Sequence, residues 1–131
     1  MANVSVHIVA RNAMGSLPGI VSAVAQQTYE DVTIRIADNA SSDKITSFLR
    51  DEVPGARAIR NARDIGTASA QNQLIRMAMQ AWKNSDLDDQ FVLMLDTDVT
   101  MEPNVVSALV CKMQEDKTLG AVGGKILRMF D

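Results

Sequence analysis

Cysteine is nearly absent from this chain: Cys111 stands alone. No disulfide can form within the chain, which fits a reducing compartment. Cys111 sits in an apolar helical stretch and is expected to be a small buried core residue. There is no surplus of positive charge either; the formal net charge is −3. That excludes the electrostatic footprint of a nucleic-acid or anionic-membrane binder. No apolar run approaches the ~20 residues of a membrane span. The N-terminus lacks the basic-then-apolar pattern of a signal peptide. The expectation is a cytoplasmic protein, with any place at the inner face of a membrane owed to partners. Histidine is almost missing too. The single one, His7, lies mid-strand with no Cys, Asp or Glu at ligand spacing, so it reads as a core or strand-face residue rather than a metal ligand. No G-x-G-x-x-G follows the first strand, so a dinucleotide cofactor is not supported. "GAVGGKI" lacks the spacing and the Ser/Thr of a phosphate loop.

What is present is enough for one domain. Hydrophobic residues make up 47% of 131, normal for a globular chain and too many for a disordered one. The eight methionines are spread along the chain and read as core filling. Residues 4–10, "VSVHIVA", are β-branched and nearly all apolar, as in a strand buried on both faces of a parallel sheet. Ser16 is placed to cap a helix to about Gln27, with Pro18 and Gly19 in its first turn and Leu17, Ile20, Val21, Val24 and Ala25 on its apolar face. "VTIRIAD" (32–38) predicts a second strand, and Ser41 or Ser42 the cap of a helix to about Asp51. "ARAIR" (56–60) predicts a third strand, followed by a helix from Thr67 to about Lys83 with Leu74, Ile75, Ala78 and Trp82 in one stripe. "FVLMLD" (91–96) predicts a fourth strand, Pro103 the first position of another helix, and "LGAVGGKILRMF" the start of a fifth strand.

Strands alternating with helices define an α/β fold: a Rossmann-like, doubly wound, mostly parallel sheet with helices on both faces. No internal repeat, low-complexity tract or linker divides it, so residues 1–131 read as a single domain. Ligands of such folds bind outside the carboxyl ends of the strands. Polar residues cluster there: Arg11-Asn12, Asp38-Asn39, Arg60 to Gly66, and Asp96 to Asp98.

Asp96 and Asp98 end an apolar strand one residue apart. In extended chain, residues i and i+2 point the same way, so the two carboxylates can share a hard divalent cation. A solvated turn is the other reading. Asp38 and Asn39 fit either an Asx turn or an acceptor for nucleotide N–H and hydroxyl groups. In the loop Arg60, Asn61, Arg63, Asp64, Gly66, the basic residues could face phosphate, and Gly66 allows a positive φ or a close ligand approach. "LDTDVT" also matches D-x-D-x-T, the signature of haloacid-dehalogenase-like phosphatases, whose first Asp is a nucleophile. There the motif follows the first strand and needs a later Lys and acidic pair. Here it follows the fourth strand, and no such acidic pair ends a later one.

A second resemblance runs along the whole chain. "VSVHIVARN", "AVAQQTYEDVTIRIADNASSD", "IRNARDIGTASAQNQLI", "FVLMLDTDVTMEPNVVSALV" and "LGAVGGKI" occur in the order of the segments of family 2 glycosyltransferases of the GT-A fold. The chain resembles the N-terminal, nucleotide-sugar-binding half of such enzymes. The resemblance implies a nucleoside-diphosphate-sugar donor, of UDP or dTDP type, and Mg²⁺ or Mn²⁺ as cofactor. Ala10, Arg11 and Asn12 would line the base pocket and Asp38 would contact the base. Arg63, Asp64 and Gly66 would border the nucleotide. Asp96 would lie near ribose or metal, and Asp98 would hold the metal.

Three departures stand out. Arg11 replaces the usual aromatic, Asp64 replaces the usual Asn, and "TASAQ" replaces small glycines after Gly66. The family's C-terminal acceptor half, with the general base of inverting transfer, is not matched, and no acid after Asp98 fits that base. The acceptor is therefore unknown. The options are a piece of a longer enzyme, a nucleotide-binding or assembly module without turnover, or a site completed across an oligomer. The apolar end, Ile126 to Phe130, makes an exposed edge and an expectation of homo-oligomer formation.

Overall fold

The fold is described from a computed structural model covering residues 1–128. The elements follow in order as β1 (Asn3–Ala10), α1 (Leu17–Ala25), β2 (Val32–Asn39), α2 (Ile45–Glu52), β3 (Arg57–Asn61), α3 (Thr67–Ala81), β4 (Gln90–Leu95) and α4 (Val105–Glu115). The four strands form one sheet in the order β3-β2-β1-β4, and all its pairings are parallel. The chain steps outward from β1 to β3 and then returns across β1 to lay down β4. The winding direction therefore reverses between β1 and β4, where α/β sheets open a crevice at their carboxyl edge.

Both faces of the sheet are covered at β1, which explains its unbroken apolar run, while Val92 and Met94 of β4 stay exposed. On one face Val4, Val6, Ile8 and Ala10 pack with Leu17, Ile20, Val21 and Val24 of α1, Ile45 and Leu49 of α2, and Val106 and Val110 of α4. On the other, Ala37 packs under Ala70 and Leu74 of α3, with Val9 and Ile59 against them. The doubly wound α/β architecture stands as expected. Beneath α3 the sheet carries a polar island. His7 is fully buried, its Nε2 lies 2.8 Å from Ser5 Oγ, and that hydroxyl accepts from Arg35 at 2.5 Å. Burial, with the Arg35 charge second, lowers the His7 pKa from 6.5 to about 4.

Several local expectations are corrected. Neither Ser41 nor Ser42 caps α2, which starts at Ile45 after Lys44. Their groups instead meet Asn12, while Asp43 Oδ1 accepts from the Ile45 N–H at 3.2 Å. Ser16 precedes α1, but its hydroxyl turns back to the Ala13 carbonyl rather than capping the helix. Ala25 is exposed, and Ala23 packs in its place. Pro103 lies two residues before α4 rather than at its first position. Cys111 is exposed, because the inner face of α4 is filled by Val106 and Val110. A hydrogen bond to Glu115 pushes its thiol pKa up, away from reactivity.

The expected fifth strand is also absent among the described residues. Residues 119–128 carry no strand, and Ile126 and Leu127 are exposed. Gly120, Gly123 and Gly124 leave this stretch few side chains to pack, which weakens any strand there. Leu119 to Val122 instead line a groove of about 670 Å³ with β4 and α4. Met129 and Phe130, part of the expected apolar edge, lie outside the described residues. Among the described residues no helix is long and apolar enough to cross a membrane.

Candidate functional site

The loops after β1, β2 and β3 are tied into one hydrogen-bonded cluster at the carboxyl edge of the sheet. Its centre is Asn39, the last residue of β2 and only 3% exposed. The Asn39 Nδ2 donates to Asp64 Oδ1 at 2.7 Å and to the Gly66 carbonyl at 3.3 Å. Its Oδ1 accepts from the Ile65 N–H at 3.1 Å and from Asn61 Nδ2 at 3.2 Å. One side chain thus fixes the loop that leads into α3.

Asp38 lies beside it and is buried at 2% exposure. Its Oδ1 accepts from the Ser41 N–H at 2.9 Å, and its Oδ2 pairs with Arg60. Arg60 also donates to the Thr46 hydroxyl at 3.1 Å and to the Ser41 carbonyl at 2.8 Å. Asp38 thus holds its own turn, through the N–H three residues on rather than the two of the expected Asx turn, and adds an ion pair. The turn needs Ala40 at a φ of 60°, a conformation side chains rarely adopt.

Ala10 is fully buried and ends β1 directly opposite Asp38 in the parallel register. Asn12 takes a φ of 50°, its N–H donates to Ser41 Oγ at 3.0 Å, and its Oδ1 accepts from the Ser42 N–H at 2.7 Å. Arg11 reaches the other way. Its Nη1 lies 2.9 Å from Asp64 Oδ2 and donates to the Asn39 carbonyl at 3.3 Å. Asp64 also accepts from the Gly66 N–H at 2.9 Å. Gly66 itself has φ 82° and ψ 159°, a backbone region open essentially to glycine.

Asp96 and Asp98 lie beyond the end of β4, next to β1. The strand stops at Leu95 and the chain turns at 97–98, so strand alternation does not set their alignment. Both are exposed, and neither makes a hydrogen bond or ion pair among the described residues. No group of three or more His, Cys, Asp or Glu side chains among the described residues is placed to hold a metal. Two carboxylates are hard oxygen donors suited to Mg²⁺ or Mn²⁺, and they leave most coordination positions to other ligands. Arg63 is exposed and makes no side-chain hydrogen bond or ion pair among the described residues.

Of the residues expected at the site, the structure joins Ala10, Arg11, Asn12, Asp38, Asp64 and Gly66. It leaves Arg63, Asp96 and Asp98 apart from that network. Sequence reading did not single out Arg60 as the partner of Asp38, nor Ser41 and Gln73. Gln73 exchanges two amide hydrogen bonds of 2.9 Å with Asn61. The available signal was position: Arg60 stands opposite Asp38 in the register of β2 and β3.

The four-stranded parallel sheet with its helices defines a class, an α/β fold of the GT-A type, and solved structures share that fold. The 1–349 form of S. aureus TarS in complex with UDP superposes with a TM-score of 0.72 at 14% identity, over 86% of this chain and 32% of that one. The complex of the same TarS form with UDP-GlcNAc gives 0.69 at 16% identity, over 86% and 31%. A mannosyltransferase from Pyrobaculum calidifontis, in complex with GDP-Man and Mn²⁺, gives 0.72 at 20% identity, over 91% and 34%. The chain thus spans about a third of the length of these structures. No curated protein matches it in sequence. The sequence profile described as glycosyl transferase family 2 matches residues 5–128. The chain belongs to that family, and the phosphatase reading of "LDTDVT" is set aside.

Proposed function

We propose that this chain is the donor-binding domain of a family 2 glycosyltransferase, taking a nucleoside-diphosphate sugar of UDP or dTDP type. One observation carries the reading. Three loops are locked together at the carboxyl edge, and on the other side of β1 the loop after β4 carries two exposed carboxylates, Asp96 and Asp98, that are unpaired among the described residues. The solved complexes of similar fold with UDP, UDP-GlcNAc and GDP-Man support it.

In this reading Ala10 to Asn12 and Asp38 line the base pocket. Arg63, Asp64 and Gly66 border the nucleotide, and Asp96 lies on the ribose or metal side. Asp98, with Asp96, holds Mg²⁺ or Mn²⁺. When bound, the cation supplies Lewis acidity to the departing diphosphate. Transfer is by inversion, with the acceptor and the general base outside the residues assigned here. A nucleotide-binding module without turnover would bind the same ligands and transfer nothing.

Calorimetry with UDP and dTDP, with and without Mn²⁺, tests the shared claim. Micromolar-range binding that strengthens with Mn²⁺ is expected, and no binding in any condition refutes the reading. Hydrolysis or transfer of a labelled donor then separates enzyme from binding module.

A further inference from the structure

Arg11 and Asp64 are the two charged residues that depart from the family pattern, and the fold brings them together. Arg11 Nη1 lies 2.9 Å from Asp64 Oδ2, and both side chains are about half exposed, at 49% and 46%. The same Nη1 donates to the Asn39 carbonyl. Asp64 is itself fixed by the Asn39 amide and the Gly66 N–H. A guanidinium carries five N–H donors. The Nε hydrogen and both Nη2 hydrogens of Arg11 make no hydrogen bond among the described residues. Arg11 is thus a donor fork held at one nitrogen and unused at the other two, on the residue that follows β1.

The neighbouring carboxylate decides what that fork suits. Paired with Asp64, Arg11 presents little net charge, and a phosphate would have to compete with Asp64 for it. A guanidinium also donates to carbonyl oxygens on base edges, and with its charge offset by Asp64 the free fork suits such a neutral acceptor better than a phosphate. We infer that Arg11 reads a carbonyl oxygen of the donor's base, with Asp64 as its positioning residue. This rests on the nucleotide-binding reading above and assigns the residue that selects its base. Uracil, thymine, guanine and cytosine carry a carbonyl oxygen; adenine carries none.

The test is calorimetry of the full chain with UDP, GDP and ADP in Mn²⁺, for the native protein, Arg11→Met, Arg11→Lys and Asp64→Asn. The native protein should bind UDP or GDP about tenfold or more tighter than ADP, as expected for a lost hydrogen bond to a charged group. Arg11→Met should bring the three within about twofold by weakening the carbonyl-bearing bases alone. Arg11→Lys, which keeps the charge and loses the fork, should not restore the preference. Asp64→Asn keeps an oxygen for the Gly66 N–H and should lower the preference partway. An equal loss for all three nucleotides in Arg11→Met would assign Arg11 to phosphate and overturn the inference. So would a native preference for ADP, or no change on substitution. Native protein that binds no nucleotide would instead remove the proposed function, and this inference with it.

Discussion

Arg60 closes over the carboxylate of Asp38 from the neighbouring strand, at the position directly opposite in the register. Asp38 is the one acid the fold buries among the described residues, so its charge is met before any ligand arrives. The pair joins β2 to β3 just where the site's loops begin, and it couples stability to the shape of the site.

Removing Arg60 leaves Asp38 buried with only the Ser41 N–H as partner. Arg60→Met should therefore cost about 2 kcal/mol in urea unfolding, less than a fully buried pair because Arg60 is half exposed. Adding Asp38→Asn should recover part of that loss. Additive losses in the double variant would show that the two side chains are not coupled.

Gln27 ties the end of α1 to the start of α4. Its Nε2 donates to the Glu102 carbonyl at 2.9 Å and the Ala23 carbonyl at 3.2 Å, and its Oε1 accepts from the Val106 N–H at 3.0 Å. It caps α4 from the loop that follows α1, a task the Asn104 side chain does not perform. It thereby anchors the segment that follows Asp98. Gln27→Leu strands a helix-start N–H and a carbonyl, and should cost about 2–3 kcal/mol in urea unfolding. A loss below about 0.5 kcal/mol, the range of an ordinary surface change, would count against the bridge.

The architecture was legible because its signals are local and repeated. The apolar strand "VSVHIVA", the alternation with helices, and polar clusters after each strand all point to one sheet edge. What was not legible depends on contacts distant in sequence. Ser41 and Ser42 look like helix caps, but Asn12, far back in the chain, takes their groups. Cys111 looks buried because its neighbours are apolar, yet only one stripe of α4 meets the sheet. Arg60 looks like a free loop cation until the β2–β3 register sets it on Asp38. The glycine-rich stretch after α4 has strand-like apolar residues, but no strand pairs with it among the described residues.

His7 gives a pH dependence of known sign. Burial holds the ring neutral in the fold, with its pKa at about 4 against 6.5 unfolded. The unfolded chain takes up the proton first, so stability from His7 is complete above about pH 6.5. It is lost progressively as pH falls toward about 4, with a total on the order of 3 kcal/mol. Unfolding midpoints measured across this range should fall more steeply for the native protein than for His7→Gln. Parallel slopes would show that His7 does not titrate with folding.

Asp96 and Asp98 test the proposed chemistry most directly, because stability and binding should separate there. Both are exposed and bonded to nothing among the described residues. Replacing either with Asn removes one of two neighbouring like charges, so unfolding without metal should change by no more than about 0.5 kcal/mol. The binding effect should be large. In the native protein Mn²⁺ is expected to strengthen UDP binding, and that gain should vanish in Asp98→Asn while the weak metal-free binding survives. Asp96→Asn should lose part of the gain, since it is assigned to the ribose or metal side. If both variants respond to Mn²⁺ as the native protein does, the cation is held elsewhere and these carboxylates are a solvated turn. If either variant unfolds markedly more easily, the two acids support the loop, and the binding comparison must be read against Thr97→Ala, which perturbs the same turn without removing a carboxylate.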